Sequence, residues 1–171
     1  MSLFFESDNL TLGYENQLVI KNLKISLNFS KNYEIIGRNG SGKTTLIMCI
    51  SNNFIGNTFN SNIYRKDTSI MEIGSSPSLM PELSLLENIK YFLFNENINE
   101  TTISNVLDKY ELDSFKSDLI GDFSSGMVKR SEIAIADLKN PKVLCIDEPR
   151  VYLDENGVDL LLNLITKREK E

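Results

Sequence analysis

Apolar and polar residues alternate along the first part of the chain in a pattern that predicts strands. From residue 23 to residue 29 every second side chain is apolar, which is typical of a half-buried strand. Short apolar runs at 33–36 and 143–146 predict two more strands, the second of them fully buried in a parallel sheet. These segments supply the β part of an α/β fold.

Other segments show apolar residues at helical spacing. Ser84 and Glu87 form a Ser-x-x-Glu capping box ahead of the apolar stretch 89–94, so we expect a helix to begin there. Further helices are expected over 103–110, over 131–138 and, with Asp154 as the N-cap, over 158–165.

A glycine-rich segment follows the strand predicted at 33–36. Residues 37–44 match the pattern G-x-x-x-x-G-K-[ST] at every required position. Glycines let the backbone curl so that its N–H groups face a phosphate, and the N-terminus of the next helix adds the positive end of its dipole. This predicts a nucleoside triphosphate site rather than a glycine-rich turn with a surface lysine. The residues expected to contact the nucleotide are Gly37, Asn39, Gly40, Ser41, Gly42, Lys43, Thr44 and Thr45.

Three of these side chains have distinct expected roles. Lys43 would bridge the β- and γ-phosphates and so take part in catalysis, and Thr44 would give its hydroxyl to Mg²⁺. Thr45 lies where a second hydroxyl reaches a phosphate oxygen.

Two carboxylates follow the predicted strand 143–146. Ligands of parallel sheets bind at the carboxyl ends of the strands, and a hard cation and a water nucleophile each need an oxygen acceptor. We therefore expect Asp147 to hold Mg²⁺ and Glu148 to act as the catalytic base. Alternatively, the two acids open a turn before Pro149.

Ser124 and Gly126 lie in a Ser-Ser-Gly segment that opens the helix expected at 131–138. The order of phosphate loop, Ser-Gly segment, Asp-Glu-Pro and Leu-Asp resembles the ATP-binding-cassette (ABC) transporter ATPases over nearly the whole chain. In that family the signature is Leu-Ser-Gly-Gly-Gln, so this chain keeps Ser124 and Gly126 and departs at the other three positions. The resemblance implies that both residues grip the γ-phosphate of an ATP bound by a second subunit.

The same resemblance implies two further nucleotide contacts. Leu153 and Asp154 match the segment that runs between the two subunits of the family's dimer. Tyr14 lies where the family places an aromatic ring that stacks on adenine. A tyrosine beside a glycine is also common as a packing residue at a strand end, so both interpretations of Tyr14 stay open.

The family's fold is a P-loop NTPase fold: a RecA-like parallel sheet core, an antiparallel β side sheet and an inserted α-helical subdomain. We expect one domain over 1–171, with the nucleotide-binding core at 1–76 and 140–171 and the helical lobe at 77–139. The C-terminal part is expected to be short, because residue 171 falls near the end of the helix that precedes the family's last switch strand.

Two of the family's switch residues have no counterpart. The family's glutamine between the lobes is replaced by Ser75 or Ser76. The family's switch histidine has no counterpart either, because the 171 residues contain no histidine. If Glu148 is the main base, these losses should slow hydrolysis and leave ATP binding largely intact.

Composition limits the partners. The formal net charge of −6 argues against a nucleic-acid surface, which needs a basic stripe. No apolar run approaches the length of a membrane span, and the first residues lack a signal peptide pattern, so we expect a cytoplasmic protein held peripherally at the inner membrane face. Cys49 and Cys145 lie in apolar segments without metal-type spacing and are expected to be reduced core residues.

The leading hypothesis is an ATP-binding and ATP-hydrolysing subunit, with Mg²⁺ as cofactor, that dimerises on ATP. Its expected partners are a second ABC ATPase, identical or not, and a multi-span membrane permease through which it drives export. Short motifs are similar to single-cassette exporter ATPases, including that of the heme exporter of cytochrome c maturation. The alternatives are a regulatory or degenerate subunit that barely hydrolyses ATP and a soluble ATPase of the superfamily without a transport role.

Overall fold

The structure, a computed structural model, describes residues 2–15, 17–74, 76 and 78–169. The strands are β1 (Leu3–Tyr14), β2 (Gln17–Asn28), β3 (Asn57–Thr58), β4 (Ile63–Arg65), β5 (Ile70–Ile73) and β6 (Val143–Ile146). The helices are α1 (Lys43–Ser51), α2 (Leu85–Phe92), α3 (Glu100–Lys109), α4 (Ser125–Lys139) and α5 (Glu155–Arg168), with 3-10 turns at Asp113–Phe115 and Ile120–Asp122. The chain divides into two compact units, 1–72 with 142–147 and 73–141 with 148–171.

An antiparallel sheet dominates the first unit. β1 and β2 pair along their length from Leu3 opposite Asn28 to Tyr14 opposite Gln17, and β3 and β4 pair with β1. Phe4, Phe5, Leu10 and Leu12 of β1 lie in a core that also receives the apolar side of α1. Register shifts between β1 and β2 interrupt the simple alternation of inward and outward residues. The predicted strand at 23–29 and the antiparallel side sheet are confirmed.

β5 and β6 form a separate two-stranded sheet. The backbone N–H of Val143, where β6 begins, donates at 3.1 Å to the carbonyl of Ser69, directly before β5 begins. Because the two strands begin side by side, they run parallel and end side by side. The strand predicted at 143–146 is confirmed, but its residues are half-buried rather than fully buried, since among the described residues β6 pairs with β5 alone.

The strand predicted at 33–36 is wrong. Residues 31–38 have no regular secondary structure, and Ile36 is 85% exposed. Of the two isoleucines in this run, only Ile35 packs against the core of the first unit. A run that buries so little apolar surface gains little from joining a sheet.

Four helices of the second unit begin at side-chain caps. Ser84 and Glu87 form the predicted capping box of α2, in which each side chain accepts from the other residue's backbone N–H. Asn99 and Ser124 cap α3 and α4, and Asp154 caps α5 by accepting from the N–H of Gly157 at 2.8 Å. The helix expected to begin at the Ser84 capping box is confirmed, and it ends at Phe92. The helices expected over 103–110, 131–138 and 158–165 are confirmed as α3, α4 and α5.

Asp137 of α4 connects three helices. Its carboxylate accepts from Lys109 of α3 at 2.7 Å and from Lys167 of α5 at 3.0 Å. Burial raises the pKa of Asp137, but the two lysine hydrogen bonds outweigh that effect and the pKa lies below its usual value. The last helix therefore contacts α4 within the second unit. The lobe boundaries stay a prediction.

Both cysteines are free thiols in apolar surroundings. Cys49 is buried and Cys145 is half-buried. Burial, with a smaller contribution from Glu72, raises the pKa of Cys145 to about 12, and burial also raises that of Cys49. Thiols with raised pKa values are unreactive at neutral pH. In the described ranges, no helix is long and apolar enough to cross a membrane.

Candidate nucleotide site

The phosphate loop lies at the surface of the first unit and leads directly into α1. Its glycines Gly40 and Gly42 have φ angles of +77° and +92°, in the left-handed region. The carbonyl of Gly42 accepts the first helical hydrogen bond, from the N–H of Leu46 at 2.9 Å. The loop therefore delivers the chain to the free N–H groups at the start of α1, where anions bind.

Gly42 has no room for a side chain. A Cβ on this residue would lie 2.8 Å from Cγ1 of Val19 and 3.2 Å from Cγ1 of Ile20. Gly40 also has a positive φ, but a Cβ there would meet no atom within 4 Å. The absence of a side chain at Gly42, a glycine that the motif requires, thus lets the loop pack against β2. At Gly40 glycine serves the turn of the backbone alone.

We expect Gly42→Ala to destabilise the first unit by about 2–4 kcal/mol, because it adds a steric clash to left-handed strain. Gly40→Ala is the matched control and should cost only the strain, about 1 kcal/mol. Urea unfolding of both variants measures the difference. Equal losses would mean that contact with Val19 does not matter.

Lys43, the first residue of α1, folds back over the loop. Its ammonium donates to the carbonyls of Gly37 and Arg38, both at 3.0 Å. The remaining donor capacity of the ammonium is available to a ligand, since a lysine has three N–H groups. A cation held beside backbone N–H groups at a helix start is the arrangement that a phosphate needs.

Thr44 and Asp147 are in direct contact although 103 residues separate them. The Thr44 hydroxyl donates to Oδ2 of Asp147 at 2.6 Å. Asp147 is only 3% exposed, and it directly follows β6. The structure therefore brings together the two side chains expected to bind Mg²⁺.

The other predicted residues of the first unit are near the loop or at the end of β1. Asn39 and Ser41 are exposed, whereas Thr45 is buried. Tyr14 is 39% exposed, and its ring meets that of Phe54 edge-on at 5.4 Å. This contact packs one edge of the Tyr14 ring and leaves part of the ring accessible to a ligand.

The remaining predicted residues lie in the second unit. Ser124 is exposed, and its Oγ accepts from the N–H of Met127 as the α4 cap. Gly126 lies in the first turn of α4, and Asp154 caps α5. Glu148 is exposed and has a φ of +48°, a costly conformation that clusters at functional positions.

A buried charged pair supports the segment that should carry the family's glutamine. Lys129 and Glu132 of α4 are 4% and 1% exposed, with 3.8 Å between Nζ and Oε2. Lys129 donates to the carbonyl of Gly74 at 2.6 Å, and Glu132 accepts from the N–H of Ser78 at 2.9 Å. Sequence reasoning missed this pair, whose only signal was two charges on the apolar side of a helix.

Burial raises the pKa of Glu132, although Ser78 and Lys129 oppose the rise. Of the two serines in the place of the glutamine, Ser76 is exposed and Ser75 lies outside the described residues.

The phosphate loop, its lysine and the carboxylate bonded to Thr44 define a P-loop nucleotide-binding protein. The chain belongs to the ABC transporter family, because the family model described as ABC transporter matches residues 20–151. Members of this family bind ATP, usually with Mg²⁺, and generally hydrolyse it.

Two curated relatives are similar over most of the chain. The lantibiotic transport ATP-binding protein SrtF of Streptococcus pyogenes is 33% identical over 172 residues, covering 95% of this chain and 74% of SrtF. The cytochrome c biogenesis ATP-binding export protein CcmA of Reclinomonas americana is 31% identical, covering 95% of this chain and 78% of CcmA. These matches extend the family assignment to both compact units.

A solved structure described as the ATP-binding subunit of an ABC transporter has the same fold. It superposes with a TM-score of 0.84 at 25% identity, covering 98% of this chain and 75% of that chain. The predicted fold class, a P-loop NTPase fold of the ABC type, is confirmed.

Proposed function

We propose that this chain is the ATP-hydrolysing subunit of an ABC exporter and that it works as a dimer on a separate membrane permease. The observation that carries the nucleotide part is the hydrogen bond between Thr44 and Asp147. This hydrogen bond joins the phosphate loop to the Asp-Glu-Pro segment, two motifs that are far apart in the sequence. Family membership supports ATP as the ligand.

The chemistry of Thr44 and Asp147 fits Mg²⁺. One supplies a hydroxyl and the other a buried carboxylate, and Mg²⁺ prefers such oxygen ligands together with nucleotide phosphates and water. When bound, Mg²⁺ neutralises charge on the transferring phosphate. The 2.6 Å hydrogen bond between the two residues holds both oxygens at one place.

Glu148, directly after Asp147, is proposed as the base. Its carboxylate would take a proton from water as the water oxygen bonds to the γ-phosphorus and the bond to ADP breaks. Lys43 would hold the β- and γ-phosphates after exchanging one or both of its contacts with the carbonyls of Gly37 and Arg38.

The second unit would serve the nucleotide of a partner subunit. Ser124 and Asp154 both lie at exposed helix starts, where N–H groups and a hydroxyl suit a phosphate. Tyr14 is proposed to stack on adenine. A second ABC ATPase, identical or not, completes this arrangement.

The names of the relatives support export as the task. SrtF is a lantibiotic transport protein and CcmA is an export protein, and both are ATP-binding subunits. A permease in the membrane is the expected partner, which would place this chain at the inner membrane face. The substrate is chosen by that permease.

Turnover is expected to be slow. The segment 73–79 has no glutamine to contact Mg²⁺ and the attacking water. A regulatory subunit that binds ATP without hydrolysing it is the second candidate, and the absence of this side chain is what favours it.

Asp147→Asn tests the site directly. We expect ATP affinity in the presence of Mg²⁺ to fall by at least about tenfold, because an amide oxygen is a weaker ligand than a carboxylate, while affinity in EDTA stays unchanged. Isothermal titration with and without Mg²⁺ measures both. Asp159→Asn, an exposed acid on α5, is the control. If the wild-type chain binds no ATP in either buffer, the proposed function fails.

A further inference from the structure

Glu111 makes two hydrogen bonds to residues far from it in sequence. Its Oε2 accepts from Nη1 of Arg130 at 2.6 Å, and its Oε1 accepts from Nδ2 of Asn156 at 3.1 Å. Nη2 of Arg130 lies 3.8 Å from Oδ2 of Asp154. One carboxylate thus connects the end of α3 to the middle of α4 and to the first turn of α5.

These elements carry the second unit's candidate nucleotide contacts. Ser124 and Gly126 begin α4, and Asp154 caps α5. The starts of the two helices also approach each other closely, because a Cβ on Gly126 would lie 3.1 Å from the carbonyl oxygen of Tyr152. The contacts of Glu111 therefore act on the spacing between the Ser-Gly segment and the Asp154 turn.

The backbone at Glu111 favours a different residue. Glu111 has a φ of +60° and directly follows the C-cap of α3. The N–H of Glu111 donates to the carbonyl of Asp108 at 3.0 Å, and the N–H of Leu112 donates to the carbonyl of Leu107 at 2.8 Å. These two bonds define a Schellman motif, and glycine is the residue that this position accepts without strain. A glutamate there is strained.

We expect the ion pair between Glu111 and Arg130 to stabilise the fold by less than the backbone strain at Glu111 destabilises it. The Glu111 side chain is 60% exposed, whereas that of its partner Arg130 is 18% exposed. The pair is therefore open to water on the side of the carboxylate. Ion pairs at exposed positions contribute little to the free energy of unfolding. We expect relief of the left-handed strain to offset the loss of the pair, so that glycine at 111 gives a chain of equal or higher stability. The carboxylate would then serve to hold its neighbours in place.

We propose that Glu111 is a positioning residue that locks the start of α4 to the Asp154 turn, so that Ser124, Gly126 and Asp154 meet a nucleotide as one rigid surface. The role of that surface rests on the proposed function. The mechanical connection between the segments does not, and it can be measured without nucleotide.

The first test uses Glu111→Gly, which removes the carboxylate and relieves the strain together. We expect the melting temperature to stay equal or rise by about 2 °C or more, while amide exchange in 124–131 and 151–158 accelerates by about tenfold. Glu111→Gln keeps the side-chain length, the strain and an acceptor for Arg130. It should melt below Glu111→Gly yet exchange more slowly in both segments.

Ser30→Gly is the matched control, because Ser30 is exposed in the first unit and also has a positive φ, +57°. It should raise the melting temperature as Glu111→Gly does and leave exchange in 124–131 and 151–158 unchanged. Unchanged exchange in Glu111→Gly overturns the proposal. So does a melting temperature that falls in Glu111→Gly and rises in Ser30→Gly, since the glutamate would then be a simple stabilising residue.

The second test measures function in the full chain. Glu111→Gly should lower the maximal rate of ATP turnover at least about fivefold and leave the affinity of the monomer for ATP unchanged, with partial rescue in Glu111→Gln. Equal loss of affinity and rate would overturn positioning. If the wild-type chain has no turnover, the proposed function fails, and the exchange experiment still decides whether Glu111 locks the two segments.

Discussion

Replacing Glu148 with glutamine is expected to lower ATP turnover by about 10²- to 10⁴-fold, the range typical of losing a general base. An amide cannot accept the proton of the attacking water, so only the rate of the chemical step should change. ATP affinity should stay within about twofold, because Glu148 is not among the proposed phosphate contacts. Phosphate release under saturating Mg-ATP measures the first quantity, and titration with ATP measures the second.

Glu82→Gln is the control for that experiment, since Glu82 is an exposed acid outside the proposed site. It removes the same charge and should leave turnover unchanged. If Glu148→Gln retains wild-type turnover, another group activates the water. If the wild-type chain itself binds ATP without turnover, the regulatory interpretation gains its support.

Replacing Lys43 with alanine is expected to weaken ATP binding by about 10- to 100-fold, the effect of losing a charge-assisted contact to phosphate. Turnover should fall at least as far. The free energy of unfolding should change by less than about 1 kcal/mol, because the lysine's two partners are carbonyls of an exposed loop that water can solvate.

Lys31→Ala provides the comparison for Lys43, since it removes an exposed lysine from the segment before the loop. Calorimetric titration and urea unfolding on the same samples separate binding from folding. Wild-type affinity in Lys43→Ala would show that the loop binds phosphate through its backbone alone.

Much of the site follows from local sequence chemistry. The capping box at Ser84 and Glu87 and the cap at Asp154 are encoded within three or four residues, and both helices begin where expected. The phosphate loop is likewise a continuous motif. Local rules are sufficient for the two caps because each cap satisfies backbone N–H groups at the start of its own helix.

The wrong predictions concern burial, which depends on neighbouring elements that the local sequence does not identify. The run 33–36 is apolar enough for a strand, yet Ile36 is exposed and no strand forms. Residues 143–146 do form a strand but are only half-buried. An apolar segment favours burial, but whether it is buried depends on the elements that pack around it.

Long-range polar contacts were predictable only where a motif anticipated them. The meeting of Thr44 and Asp147 followed from their shared expected ligand. The local sequence does not predict the hydrogen bonds of Glu111 to Arg130 and Asn156. It also does not predict that Lys129 and Glu132 are buried together. Such pairs depend on the packing of helices and are visible only after folding.

The bond between Thr44 and Asp147 also has a consequence for how the chain folds. Bringing together residues 103 positions apart carries a loop-closure entropy cost of about 4 kcal/mol, several times the net value of one hydrogen bond. The bond therefore cannot drive its own formation and depends on the packing of the chain segments around it. Because loop closure must be paid before so distant a contact forms, the Mg²⁺ ligands come together only when the two halves of the sequence have packed, and metal binding here reports that packing.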